Sequence, residues 1–446
     1  MKEHDKNSFI GFILIALILV IFNTFFFPEL PEEKQNTVDP ISKEYNSESI
    51  KEDLNSNIKQ KDAEKNINYL NGQFANTVKG SDKYEIIEND KLEVTISNKG
   101  GRITKVILKD YKTYNSLPLN LLDPDSSNFN LQFTTGEAIN TSELYFKPIK
   151  YSDEKLGMKL EVDSFHYIEY IYTINEDYIV NLDIQMIGMN NIIPKNINYI
   201  NLEWQMKTPQ TEKSKSSQDM YTGIHYQYSS DEEVDYLSFT SEYKEEKINS
   251  RLNWVGFKQQ FFSAIFIAKD GFQKPTLLRS KKNDNSKFIK DLYAKFELPY
   301  KHQKEETLSF EFFFGPNHYK TLKSYNSGFE EIIDLGFMWI DTIVNKYIII
   351  NLFNFLNNYI SNYGIIILLL TIIIKICLAP FTYKTYLSQA KMKVLKPEID
   401  KINEKYKGGK DPMKMQQETL ALYRKTGVNP MGGCLPMLLQ FPILIA

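Results

Sequence analysis

The sequence predicts a multi-pass membrane protein in three parts: an N-terminal transmembrane anchor, an all-β sandwich, and an α-helical membrane core carrying a basic helical hairpin. Three observations predict it. Apolar residues gather in two long runs and the start of a third, each on the scale of a bilayer crossing. Between the first two runs the hydrophobic period is two, and beyond them it lengthens to three or four. Charge is segregated as well: residues 379–428 carry a balance of +6 and residues 28–345 a balance of −11, within a chain whose net charge is −3.

Composition excludes several classes. The 446 residues allow two or three units at roughly 150 residues per domain. A mean hydropathy of −0.37 with 24% charged residues rules out an all-membrane transporter. A hydrophobic content of 42% rules out a disordered tail. The near balance of 53 Lys+Arg against 56 Asp+Glu argues against nucleic-acid specificity, which calls for a basic excess. Cys377 and Cys434 both lie in apolar segments, so neither a disulfide scaffold nor a cysteine-based zinc site is expected.

Residues 1–27 hold the first apolar run. Phe9 to Phe27 spans 19 residues, enough to cross a hydrocarbon core of ~30 Å. The run meets Phe25-Phe26-Phe27-Pro28 instead of a small-residue cleavage site, which reads as an uncleaved signal-anchor. Residues 28–80 are rich in Glu, Lys, Asn, Ser and Asp and read as a flexible tether. From 81 to 325 the chain alternates. Leu92, Val94 and Ile96 are followed by a turn at Asn98-Lys99-Gly100-Gly101. Val180, Leu182, Ile184 and Met186 form another strand, and Leu308, Phe310, Phe312 and Phe314 a last one, stopped by Gly315-Pro316. Short alternating strands with turn residues between them predict an antiparallel sandwich.

Residues 326–346 are expected to form an amphipathic helix. Ile332, Leu335, Gly336, Trp339 and Ile343 recur at three or four, and a Trp on such a stripe fits a helix in the membrane interface. Packing against the sandwich is the alternative. Residues 347–378 contain the second transmembrane segment, apolar from Ile365 to Leu378 apart from Thr371 and Lys375. In residues 379–428, Met392, Leu395, Ile399, Ile402 and Tyr406 form a heptad seam, with Pro397 expected to kink or break the helix. Gly408-Gly409 ends it, and Asp411-Pro412 starts a second helix that runs to Gly427. Residues 429–446 begin a third apolar span, and the chain is expected to continue beyond it. The charge split places the N-terminus and residues 379–428 in the cytoplasm, with residues 28–345 outside.

Motifs for enzymatic chemistry fail. Lys407-Gly408-Gly409-Lys410-Asp411 lacks the spacing and the Ser/Thr of a phosphate loop, and the five histidines are scattered. No catalytic residue, metal ligand or cofactor is expected. The informative residue is Lys375. An ammonium within an apolar span costs roughly 2.5–3.5 kcal/mol. Two readings fit: snorkelling to the cytoplasmic headgroups, or lining a polar cavity open to the cytoplasm. Thr371 at i−4 favours the cavity, and Gln440 in the third apolar run is a further candidate for its lining.

Asn429-Pro430-Met431-Gly432-Gly433-Cys434-Leu435-Pro436-Met437-Leu438-Leu439-Gln440-Phe441-Pro442-Ile443 resembles the signature of the YidC membrane protein insertases, relatives of the Oxa and Albino proteins. Leu370 to Lys375, Ala379-Pro380-Phe381-Thr382 and Ala390-Lys391-Met392 through Pro397 are similar to that family's second span and hairpin. Trp254-Val255-Gly256-Phe257-Lys258-Gln259-Gln260-Phe261-Phe262 and Phe314-Gly315-Pro316 resemble its periplasmic domain. The resemblance implies an inner-membrane insertase and chaperone with a periplasmic β-supersandwich, whose helical insertase core is incomplete in this sequence. It implies a polar cytoplasm-facing groove carrying Lys375, where the family commonly has Arg. Expected partners are nascent integral membrane proteins, the Sec translocon including SecDF, membrane lipid and, through the basic hairpin, ribosomes and signal-recognition components. A membrane-anchored sugar-binding or sugar-modifying sandwich is the alternative function, and a small-solute transporter a third.

Overall fold

The computed structural model describes residues 72–283, 287–336, 339–406 and 411–427. The expected anchor, most of the tether, the third apolar run with Gln440 and the glycine pair at 408–409 lie outside them.

The alternating segments form three antiparallel sheets. The first holds β1 (Tyr84–Glu88), β2 (Leu92–Ser97), β3 (Ile103–Lys112) and β4 (Pro118–Leu122) in that order. The second has six strands: β14 (Tyr243–Ile248), β17 (Thr276–Lys282), β18 (Phe288–Pro299), β11 (Tyr199–Pro209), β5 (Ser127–Thr134) and β6 (Ala138–Asn140). The third sheet has nine strands, which interleave in sequence with those of the second. Its order is β13 (Val234–Tyr236), β12 (Gly223–Tyr228), β15 (Leu252–Lys258), β16 (Phe262–Phe272), β19 (Glu305–Pro316), β10 (Ile179–Ile187), β9 (His166–Ile174), β8 (Lys155–Asp163) and β7 (Lys147–Lys150).

Period-two patterning decides which face each strand buries. On β10, Val180, Leu182, Ile184 and Met186 are buried while Asn181, Asp183 and Gln185 stay half-exposed. The core is a layer of aromatic rings between the six- and nine-stranded sheets. Trp204 of β11 stacks on Phe257 of β15 at 3.9 Å, and Phe296 of β18 stacks on Phe272 of β16 at 4.0 Å. Phe266 and Phe312 stack at 4.6 Å in the same layer. Such rings contribute both buried area and ring–ring attraction.

The folded domain is wider than the expected 81–325. Residues 75–78 form a short helix, α1 (Ala75–Val78), and Phe74 before it is buried against Phe133 at 5.8 Å. One aromatic anchor thus converts the end of the expected tether into part of the core. At the other boundary, α3 (Tyr319–Ser324) and a 3-10 turn at Phe329–Ile332 also belong to the sandwich. Here α2 denotes Lys215–Tyr221, the short helix before β12.

The single helix expected over 326–346 does not form. Phe329 and Ile332 turn inward to the sandwich core, and the chain leaves helical geometry at Asp334–Gly336, where Gly336 has φ +118°. A helical rod begins at α4 (Trp339–Val344), continues through a π turn at Asn345–Ile349 and ends with α5 (Ile350–Asn357). The apolar stripe therefore divides between two environments at a glycine that tolerates positive φ.

Residues 347–378 are likewise not one segment. The rod ends at Asn357, and the next helix, α6 (Tyr363–Lys405), starts after a break. It runs for 43 residues without interruption through Pro380 and Pro397, so the break expected at Pro397 is absent. A proline removes one backbone hydrogen bond, here those to the carbonyls of Ile376 and Lys393. Around Pro397 the helix is exposed, so water can satisfy the freed carbonyl. Helix α7 (Pro412–Thr426) follows, with Pro412 in its first turn and Gly427 closing it at φ +65°.

Candidate functional site

Helix α6 starts where Asn362 accepts hydrogen bonds from the backbone N–H groups of Gly364 and Ile365, at 3.0 and 3.3 Å. That cap satisfies two of the donors a helix start leaves open. Its first half is the one helix among the described residues long and apolar enough to cross a membrane. Ile365, Ile367, Leu368, Ile372 and Ile376 all expose their side chains, as a lipid-facing helix does.

Thr371 and Lys375 sit at i and i+4 on one face of this helix, and both are exposed. The Thr371 hydroxyl donates to the Ile367 carbonyl at 2.8 Å, so it is satisfied inside its own helix and remains an acceptor for a visiting donor. No carboxylate among the described residues pairs with Lys375. Thr382 falls on the same stripe, at i+7 from Lys375, with its hydroxyl donating to Leu378 at 3.0 Å. The sequence reading assigns residues 379–428 to the hairpin and so leaves Thr382 out of the stripe; the i+7 spacing is the available signal. The structure brings Thr371 and Lys375 together, while Gln440 lies outside the described residues.

The hairpin is built on the seam. Between 391 and 406, Met392, Leu395, Ile399, Ile402 and Tyr406 are half-buried and every other residue is exposed. Met415, Glu418, Thr419, Leu422 and Tyr423 are the half-buried residues of α7. Glu418 accepts from Lys405 Nζ at 2.7 Å and from the Tyr406 hydroxyl at 2.9 Å. Lys405 holds the Glu418 carboxyl below the usual carboxylate range, and the same contact raises the Lys405 pKa. The exposed remainder is a lysine-rich face.

The periplasmic-type motifs converge on the joint between sandwich and helices. Trp254 Nε1 donates to the Ser327 carbonyl at 2.9 Å, and its ring meets Phe329 edge-on at 5.6 Å. Gly315 is required because a Cβ there would strike the Phe313 ring. Lys258, almost fully buried, lies 5.7 Å from the Phe239 ring and 5.8 Å from the Tyr221 ring. Burial lowers its pKa, and the Asp334 charge in the connector opposes that shift.

The four described histidines do not converge. His166 bonds Asp163 at 2.8 Å on a turn, His225 is buried, His302 meets the Ile197 carbonyl at 2.8 Å, and His318 meets Thr321 at 2.9 Å. Among the described residues no group of three His, Cys, Asp or Glu side chains could hold a metal ion.

Comparison with known proteins fits these parts. The family model for the YidC periplasmic domain matches residues 86–349, and that for the 60Kd inner membrane protein matches residues 355–446. The membrane protein insertase YidC of Parabacteroides distasonis is 38% identical over 99% of this chain and 73% of its own length. The chain belongs to the YidC membrane protein insertase family. The insertase YidC of Bacteroides fragilis is 37% identical, again over 99% of this chain and 73% of that protein. The crystallised periplasmic domain of Thermotoga maritima YidC is 10% identical, with a TM-score of 0.29, covering 59% of this chain and 95% of that one. As in the family, the protein resides in the inner membrane, with a periplasmic domain followed by membrane helices.

Proposed function

We propose that the protein inserts nascent integral membrane proteins into the inner membrane along the α6 face that carries Thr371, Lys375 and Thr382. Membership of the insertase family supports the activity. The single observation that carries the site is a cation and two hydroxyls aligned on one stripe of an otherwise apolar helix, with no carboxylate pairing the cation among the described residues.

In this reading residues 379–428 face the cytoplasm, the sandwich faces the periplasm, and the chain crosses the membrane more than once. The rod 339–357, which exposes Ile343, Tyr347, Ile348 and Phe355, lies in the periplasmic interface. Lys375 and Thr371, with Gln440, line a groove open to cytoplasmic water. Acidic groups of a translocated segment are drawn to the ammonium, which a low-dielectric surround screens less than water does. The client's apolar helix then leaves for lipid, driven by ~25 cal/mol per Å² of apolar surface buried. The process uses no cofactor and makes or breaks no covalent bond. The Sec translocon including SecDF delivers some clients, and the basic hairpin meets ribosomes, signal-recognition components or anionic lipid.

Site-specific photocross-linking tests the groove. A photoreactive residue at Thr371 in the full-length protein is expected to capture a ribosome-stalled membrane client, whereas one at Phe355 in the interfacial rod is not. Equal capture at both positions, or none at Thr371, contradicts the assigned face.

A further inference from the structure

Strand register fixes which loops share the end of the sandwich from which the chain runs on to the helices. Pairing of Phe262 with Pro316 places the chain's exit from β19 beside the β15–β16 turn at 259–261. Pairing of Gly223 with Lys258 brings the C-terminal end of α2 to the same end, and Lys112 opposite Pro118 puts the β3–β4 turn at 113–117 there when joined to the next contacts. The Tyr114 amide donates to the Thr211 carbonyl at 3.1 Å, and Tyr111 packs edge-on against Phe262 at 5.2 Å. Gln218 ties the group together. It is fully buried, donates to Pro209 at 2.9 Å and to the Gln259 side chain at 3.0 Å, and accepts from the Thr211 amide at 3.0 Å. Three loops are thus locked into one platform.

That platform exposes large apolar side chains. Tyr114, Leu117, Met220, Tyr221 and Phe261 are between 46% and 62% exposed. Side chains of this size are normally withdrawn from water, and an exposed group of them marks an interaction surface. From this end the chain passes through α3 and the rod 339–357 to the membrane-capable helix, whose first residue is Tyr363. The platform thus lies at the end of the sandwich from which the chain runs on to the span. Lys112 and Lys213 are exposed beside it.

We propose that this end of the sandwich docks onto the periplasmic leaflet, with Tyr114, Leu117, Met220, Tyr221 and Phe261 seated at the boundary between headgroups and acyl chains. The residue types are those that favour a membrane interface, with an apolar body, and in the tyrosines a polar tip. Gln218 keeps the three loops in register, so the side chains enter as a preformed set. The inference rests on α6 crossing the bilayer and is independent of any role for Lys375.

The test uses the full-length protein in phosphatidylcholine vesicles containing radiolabelled lipid. Photoreactive benzoylphenylalanine replaces Leu117, Met220 or Phe261 one at a time; these are exposed tips, so folding is retained. Phe165, on the β8–β9 turn at the far end of the sandwich, is the negative control, and Ile372 within the span is the positive control. The three platform positions are expected to yield about tenfold more lipid adduct than Phe165, the occupancy ratio for burying one side chain of this size. Labelling no higher than at Phe165 while Ile372 labels strongly overturns the docking and leaves the span intact. Cross-linked dimers in place of lipid adducts overturn it in favour of a second copy as the occupant. Failure of Ile372 to label overturns the spanning helix itself.

Discussion

His225 and Lys290 are both buried polar residues of the sandwich, and they meet burial differently. Lys290 is 2% exposed, and its ammonium donates to the carbonyls of Phe239, Thr222 and Asp219 at 2.7, 2.9 and 3.0 Å, with Asp219 Oδ1 at 3.1 Å. Fixed acceptors replace water around its ammonium, while burial lowers its pKa and Asp219 opposes that shift. His225 has no hydrogen-bond partner at Nδ1 and lies 5.2 Å from the Phe239 ring, so it stays neutral. Burial, then the neighbouring Lys258, pushes its pKa down from 6.5 to about 3. The sign follows directly. Between those values the unfolded chain binds a proton that the folded domain refuses, so stability falls as pH falls through the window. The slope from this group reaches ~1.4 kcal/mol per pH unit. Replacing His225 with Gln should flatten the fall in Tm between pH 6.5 and 4, measured on the full-length protein in lipid nanodiscs. An unchanged slope would show that His225 does not report the folded state's proton count. Neither role was legible in the sequence, because a lysine and a histidine in alternating strands look the same whether they face water or core.

Elements were legible where one pattern allowed one solution. The strands at Leu92–Ser97 and Ile179–Ile187 follow from alternation alone, because a one-residue slip would turn every apolar side chain outward. The stripe from Phe329 to Ile343 allowed two solutions. Its spacing suits an amphipathic helix, yet Phe329 anchors in the Trp254–Phe313 aromatic cluster, Ile332 is buried in the core, and the α-helix begins only at Trp339. Of the kink or break expected at Pro397, the break is absent for a simpler reason: losing one hydrogen bond on a solvated helix of 43 residues does not end it. The hairpin seam was readable from its 3–4 spacing, which gives a direct test. Ile399→Asp places a charge in the seam and should weaken hairpin closure by roughly 1–2 kcal/mol. Val394→Asp, at a position 78% exposed, should change it by less than about 0.5 kcal/mol. Spin labels at Lys401 and Gln417 would read a broadened distance distribution for the first variant only. Equal distributions would mean that the seam does not hold the hairpin.

At the scale of the whole molecule, the proposed insertion site lies on the helices, and the proposal leaves the sandwich a role in placement. Because Phe329 and Ile332 are part of the sandwich core, a clean removal runs from residue 72 through Ile333 and keeps the rod 339–357. Such a deletion of the full-length protein should leave substantial insertion of a simple client, scored by protease protection of its translocated tail. Complete loss in a stably expressed deletion would assign the sandwich a direct part. The candidate site was half legible: Thr371 and Lys375 share a face by spacing alone, whereas the i+7 spacing of Thr382 counts only once the helix is known to pass Pro380 unbroken, and Gln440 lies outside the described residues. The most direct measurement is a charge series at Lys375 in a strain depleted of its own insertase, complemented with the full-length protein at matched expression. Insertion of clients with acidic and neutral translocated tails is scored for Lys, Arg, Ala and Glu at this position. A groove cation predicts that Arg preserves function, Ala impairs acidic-tailed clients selectively and Glu is worse than Ala, since it repels the same tails where screening is weak. Equal activity of the Lys, Ala and Glu proteins on both clients would contradict the insertion site and leave Lys375 as a side chain that only reaches for the headgroups.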